Sequence, residues 1–167
     1  MKIIFLDIDG VLNSEASMIR KGKFDFFNDN PDPEHIKWLN LIIEKTGAQC
    51  VISSTWRNGC SSLMMWRFLY LLGFKGKIIG NTPRLSDSYR GTEIKAWLNE
   101  HEDKETKYKD YPEGSMCRIH MGKVESFVIL DDDSDMVDLM PHLVEIDGRK
   151  GLTEEDALKA IEILNRV

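Results

Sequence analysis

The chain has 167 residues, the size of one domain with a substantial core, so a single domain over 1–167 is expected. A hydrophobic share of 42% and a charged share of 30% are ordinary for a soluble protein, and no run approaches the roughly 20 apolar residues of a membrane span. The net charge of −6 argues against a protein that wraps duplex nucleic acid through a broad basic face, though not against a small basic pocket.

The first element is the apolar run Ile3–Leu6, too short for a helix and therefore a buried strand. Asp7 interrupts it too early for a signal peptide. Asp7 and Asp9 would share a face if the strand continued through them. Like charges that close repel unless a cation or a shared proton lies between them, and the pair suits a hard divalent ion such as Mg²⁺. Gly10 permits a sharp bend that turns backbone N–H groups toward an anion. A strand ending in a solvated acidic turn would use the same residues.

Ser14 to Pro33 reads as a polar, irregular loop carrying Phe24, Phe26 and Phe27, which either cover a substrate or fold back on the core. Glu34 to Lys45 is predicted helical, with Ile36, Leu39, Ile42 and Ile43 on one face and Gly47 as its stop. A second strand over Gln49–Ile52 runs into Ser53, Ser54, Thr55, Trp56 and Arg57. Hydroxyls at a strand's carboxyl end can donate to a phosphoryl oxygen, and Arg57 can add a bidentate contact. The alternative is a helix start capped by one of the hydroxyls.

Leu63 to Leu72 is apolar nearly all round, so it is expected to be buried within the chain, ahead of packing on a second copy as a homodimer contact. Lys77–Gly80 is a third strand. Arg90 precedes an amphipathic helix marked by Ile94, Trp97 and Leu98, where a cation and a helix N-terminus together favour an anion; Lys95 lies inside that helix. His101 to Lys123 is polar and irregular, a flap or small lobe. Phe127–Leu130 is a fourth buried strand running into Asp131, Asp132, Asp133 and Asp135, acids that are costly to crowd without a cation. His142–Ile146 is a last strand, and Thr153 with Asp156 opens the last helix as a capping box.

Cys50, Cys60 and Cys117 are odd in number and lack Cys-x-x-Cys spacing, which speaks against a disulfide framework or a zinc site and for a reducing cytoplasm. The four histidines are scattered, and surface or packing roles are expected of each.

Strands alternating with helices predict an open, mainly parallel α/β sheet with its site at the strands' carboxyl ends. Four stretches in order then resemble the motifs of the haloacid dehalogenase-like (HAD) superfamily. Asp-x-Asp-Gly over Asp7–Gly10 resembles the first, and one of Ser53, Ser54 and Thr55, with Ser54 favoured, the second. Arg90 resembles the third better than Lys95 does. Asp131 with Asp132, or with Asp135, resembles the fourth.

The resemblance implies a Rossmann-like order with helices on both faces and no large cap domain, the irregular stretches 14–33 and 101–123 taking a cap's place. It implies Mg²⁺-dependent phosphoester hydrolysis through an aspartyl-phosphate. Asp7 would be the nucleophile and Asp9 the general acid/base, since an acid two residues after the nucleophile resembles phosphatases and not dehalogenases. Ser54, Gly10 and Arg90 would bind phosphate, and Asp7, Asp131, Asp132 and the Asp9 carbonyl would hold the metal. Asp-Gly-Val-Leu-Asn, Ser-Ser-Thr-Trp-Arg and Arg-Gly-x-Glu-Ile-x-x-Trp-Leu further resemble the small HAD domains of Swiss Army Knife RNA repair proteins. That likeness implies phosphorylated nucleic-acid ends as substrate, with Ser53, Thr55, Trp56 and Arg57 as further substrate contacts. A nucleotidase or general small-molecule phosphatase would share every catalytic residue; a non-catalytic binding protein would be expected to lack one of the acids.

Overall fold

The computed structural model describes residues 1–21, 30–86, 88–101 and 123–166. Phe24, Phe26 and Phe27, and the stretch 102–122, lie outside these described residues.

Five strands form one sheet: β1 (Lys2–Leu6), β2 (Gln49–Ile52), β3 (Ile78–Asn81), β4 (Ser126–Asp131) and β5 (Leu143–Glu145). All pair in parallel, in the order β3-β2-β1-β4-β5. Ile3, Ile4, Phe5 and Leu6 of the central strand are all fully buried, as expected of a strand covered on both faces. Alternate residues feed different cores. Ile4, Leu6, Cys50, Ile52, Val128 and Leu130 pack with α2 (Pro33–Thr46), α3 (Ser62–Leu71) and α5 (Glu154–Asn165). Ile3, Phe5, Val51 and Ile129 pack with Ile94 and Trp97 of α4 (Arg90–His101). The fold is thus α/β and Rossmann-like, with helices on both faces.

Helix ends follow local chemistry. Asp32 caps α2 by accepting from the Glu34 N–H, Pro33 supplies the first turn, and Gly47 ends it in the left-handed region at φ 69°. Thr153 and Asp156 form the expected capping box on α5.

Three expectations need correction. The loop expected from Ser14 contains a helix, α1 (Glu15–Lys21). Ser17 donates its N–H to the Ser14 hydroxyl, while the Ser14 N–H donates to the Ser17 hydroxyl. This is the reciprocity of a capping box with Ser in place of the usual Glu, which hides it from a search for Glu or Gln. The apolar helix is not buried all round. Only Met65 and Leu69 of α3 are buried, and Leu71 is 82% exposed, because α3 packs over β3, an edge strand with a neighbour on one side only. The last strand is shorter than the expected His142–Ile146: β5 spans Leu143–Glu145, and His142 closes a 3₁₀ segment, Val137–His142, that precedes it.

The histidines within the described residues pack. His35 is buried between the Ser14 hydroxyl and the Leu152 carbonyl, His101 stacks on Trp97, and His142 stacks on Phe127.

Candidate active site

The chain runs from β1 outward through β2 and β3, then crosses back to β4 and β5. The order therefore reverses between β1 and β4, the switch point at which an open α/β sheet places its ligand crevice, beyond the strands' carboxyl ends. Both strands end there in aspartate. The Asp7 N–H donates to the Leu130 carbonyl at 3.0 Å, extending the β1–β4 ladder by one step and setting Asp7 beside Asp131. Asp7 and Asp131 are buried and Asp132 is exposed; one carboxylate oxygen of each lies within 4.8 Å of the others. Two glycines make the space for Asp132. A β-carbon on Gly10, which has φ +71°, would stand 2.2 Å from Asp132 Oδ2, and one on Gly148 would stand 2.8 Å from it.

Arg90 opens α4 and reaches into this crevice. Its Nη2 donates to Asp7 Oδ2 at 3.3 Å, and its Nε lies 3.5 Å from Asp131 Oδ2. Asp135 sets the helix end by accepting the Arg90 N–H at 2.9 Å. Gly91 allows the close approach, since a β-carbon there would meet the Met136 carbonyl oxygen at 2.3 Å. Arg90 Nη1 is buried with no hydrogen-bond partner among the described residues.

Burial raises the Asp7 carboxyl above its ordinary range, partly offset by Arg90, by a hydrogen bond from the Ser54 hydroxyl and by the Ile8 N–H. Burial and the neighbouring Asp7 push Asp131 up to about 7. These acids resist ionising together, which is the signature of a site short of positive charge. Asp131 Oδ2 is buried without a hydrogen-bond partner among the described residues, and the donors are all carboxylate oxygens. A hard divalent cation such as Mg²⁺ fits this set.

The other expected residues divide. Ser54 is buried, and its hydroxyl contacts Asp7 while accepting the Trp56 N–H at 3.4 Å. Ser53 is equally buried, but its hydroxyl has no partner among the described residues; Thr55 is exposed at the start of the 3₁₀ turn Thr55–Asn58. The Asp9 carboxylate lies outside the acid cluster. It accepts from Trp56 Nε1, at 3.0 and 2.9 Å to its two oxygens, and from Asn13 Nδ2 at 2.9 Å. The Gly10 N–H, expected to face an anion, donates to Asn13 Oδ1 at 2.9 Å.

Arg57 is turned inward. Its guanidinium pairs with Glu93 of α4 and donates to the Ser54 carbonyl at 2.8 Å, so it braces the 3₁₀ turn. Glu93 also accepts from the Leu85 N–H and the Ser88 hydroxyl. Asn13 and Glu93 were not singled out from sequence; Asn13 closes the Asp-Gly-Val-Leu-Asn stretch, and that spacing was its one local signal. Lys95 pairs with Asp138 on the surface, away from the cluster.

The sequence model for the HAD domain in Swiss Army Knife RNA repair proteins matches residues 3–111. That span includes Asp7, Asp9, Ser54 and Arg90 and ends before Asp131. No curated protein and no solved structure matches the chain.

Proposed function

Because the chain belongs to the family of HAD domains in Swiss Army Knife RNA repair proteins, we propose that it is a Mg²⁺-dependent phosphatase acting through a phosphorylated Asp7. The observation that carries this reading is the convergence of Asp7, Asp131 and Asp132 within 4.8 Å, with Arg90 on two of the three. Asp7, Asp131, Asp132 and the main-chain carbonyl of Asp9 would hold the cation, which when bound supplies positive charge at the phosphoryl oxygens.

In the first step an Asp7 carboxylate oxygen forms a bond to phosphorus while the bond to the leaving oxygen breaks. Arg90 and the Ser54 hydroxyl offset charge on the equatorial oxygens, and Asp9 gives its proton to the leaving oxygen. In the second step Asp9 takes a proton from water, whose oxygen attacks phosphorus. Inorganic phosphate leaves and Asp7 is restored, with Asp9 protonated for the next cycle.

The substrate we favour is a phosphorylated nucleic-acid end. Supporting it are the family and the absence, among the described residues, of a separate cap over the strands' carboxyl ends. A nucleotidase is the second reading, favoured by the net charge of −6. Competition between a phosphorylated oligonucleotide and the matching mononucleotide at fixed salt separates them; preference for the mononucleotide removes the repair reading. No helix among the described residues is long and apolar enough to cross a membrane. The free thiols of Cys50 and Cys60 fit a reducing cytoplasm. The exposed apolar residues Leu63, Met64, Tyr70 and Leu71 keep a second copy of the chain as the candidate partner for α3, which sedimentation at two concentrations tests.

Asp7→Asn tests the central step. It should bring hydrolysis of an activated aryl phosphate with Mg²⁺ down to background while the circular dichroism spectrum is retained. Unchanged turnover would remove Asp7 as nucleophile.

A further inference from the structure

We propose that Trp56 is a positioning residue for the acid/base step, holding the Asp9 carboxylate through its indole N–H; this rests on the phosphatase reading above. Asp9 is exposed, and a free aspartate side chain there would sample several rotamers. Trp56 Nε1 limits that freedom by straddling both oxygens, at 3.0 Å to Oδ1 and 2.9 Å to Oδ2. Asn13 Nδ2 adds a second donor, at 2.9 Å, to Oδ1 alone. Oδ2 therefore keeps the larger acceptor capacity for the proton that the acid/base step moves. An indole N–H is a donor only, so Trp56 itself can neither give nor take that proton.

Trp56 is held at three points. Its ring lies 6.0 Å from that of Phe68, tilted by 31°. Its backbone N–H is taken by the Ser54 hydroxyl, at 3.4 Å. Its neighbour Arg57 is locked onto Glu93 of α4, the helix that Arg90 begins. The same Ser54 hydroxyl contacts Asp7, so one side chain bears directly on the nucleophile and, through Trp56, on the acid/base. A tryptophan that merely filled space would not need its one polar atom on a carboxylate two residues from the nucleophile.

The test uses Trp56→Phe, which keeps a ring against Phe68 and removes the N–H. Release of the leaving group is measured in single turnover with Mg²⁺ on 4-nitrophenyl phosphate, whose leaving group departs as a stabilised anion, and on a nucleoside 5′-phosphate, whose leaving alkoxide needs the proton. The variant should slow the alkyl ester roughly 10- to 100-fold more than the aryl ester, with KM unchanged, since a positioned general acid contributes about 10²-fold or more. Taking the ratio on one sample cancels any loss of folded protein. Adding Trp56→Phe to Asp9→Asn should change the ratio no further, because the indole acts through Asp9. An equal fall on both esters, no fall on either, or a rise in KM alone overturns the proposal. If Asp7→Asn is inactive when that happens, the phosphatase reading stands without it; full turnover in Asp7→Asn overturns both.

Discussion

Asp7 is buried against Asp131 and the Arg90 guanidinium, whereas Asp9, two residues on, is exposed and held by the neutral donors Trp56 and Asn13. The first surroundings crowd acids that resist ionising, so they are electrostatically unsatisfied without a cation. The second are organised by hydrogen bonds, and the ion pair Arg57–Glu93 lies at the root of the turn and away from the carboxylate it helps to place. The contrast teaches a division of labour. Substitutions in the crowded cluster should touch chemistry and metal response first, and substitutions at the root of the turn should touch stability first.

The largest effect is expected at that root. Glu93→Gln keeps acceptors for the Leu85 N–H and the Ser88 hydroxyl but leaves the Arg57 guanidinium, 10% exposed, without a counter-charge. Removing one partner of a buried ion pair typically costs about 3–5 kcal/mol, so the denaturation midpoint should fall clearly. An unchanged midpoint would mean that the turn is not held by this pair, and the two regions would no longer differ in kind.

Next comes the cation of the cluster. Arg90→Ala should lower kcat/KM roughly 10²-fold, about 3 kcal/mol of transition-state stabilisation. Lys95→Ala should do little, because that ammonium is occupied by Asp138 on the surface. Steady-state kinetics on the two variants decides this, and a larger loss at Lys95 would move the anion contact off Arg90.

These assignments also show which parts of the molecule were legible in the chain. The central strands and the acids at their ends could be read, because an apolar run followed by carboxylates is a local signal: Ile3–Leu6 into Asp7, and Phe127–Leu130 into Asp131. Arg90 was legible because it sits at a helix start. Arg57 looked equally free, and only the fold brings Glu93, 36 residues later, onto it. The sequence offers Trp56 only as a further substrate contact, because its N–H partner lies on another strand end, 47 residues earlier. Asp135 could be read from its spacing as the second acid of the fourth motif, but not as the acceptor of the Arg90 N–H, because capping is decided by which helix end arrives and not by the residue's own neighbours. The exposure of α3 was illegible for the same reason, since hydrophobicity reports what a helix could bury and not whether its sheet has an edge there.

The smallest expected effect sharpens the comparison from the side of the cluster. In the metal-free protein burial and the neighbouring Asp7 push Asp131 up to about 7, against about 3.9 for an unfolded aspartate. As pH rises from about 3.9 toward 7, the unfolded chain loses this proton while the folded chain keeps it, so metal-free stability declines across that window and levels off above it. The shift at Asp7 has the same sign. Below the folded pKa a cation must displace a proton; above it the carboxylates are already ionised and repelling one another. The rise in melting temperature given by Mg²⁺ should therefore be a degree or two at about pH 5.5 and several degrees at about pH 8, by linkage. Asp131→Asn should stabilise the metal-free protein at the higher pH, by removing one of the crowded charges, and should abolish the Mg²⁺ response. Thermal melts of both proteins at the two pH values, with and without Mg²⁺, give the answer. A Mg²⁺ shift independent of pH, or one that survives Asp131→Asn, would show that the crowded carboxylates are not where the cation binds.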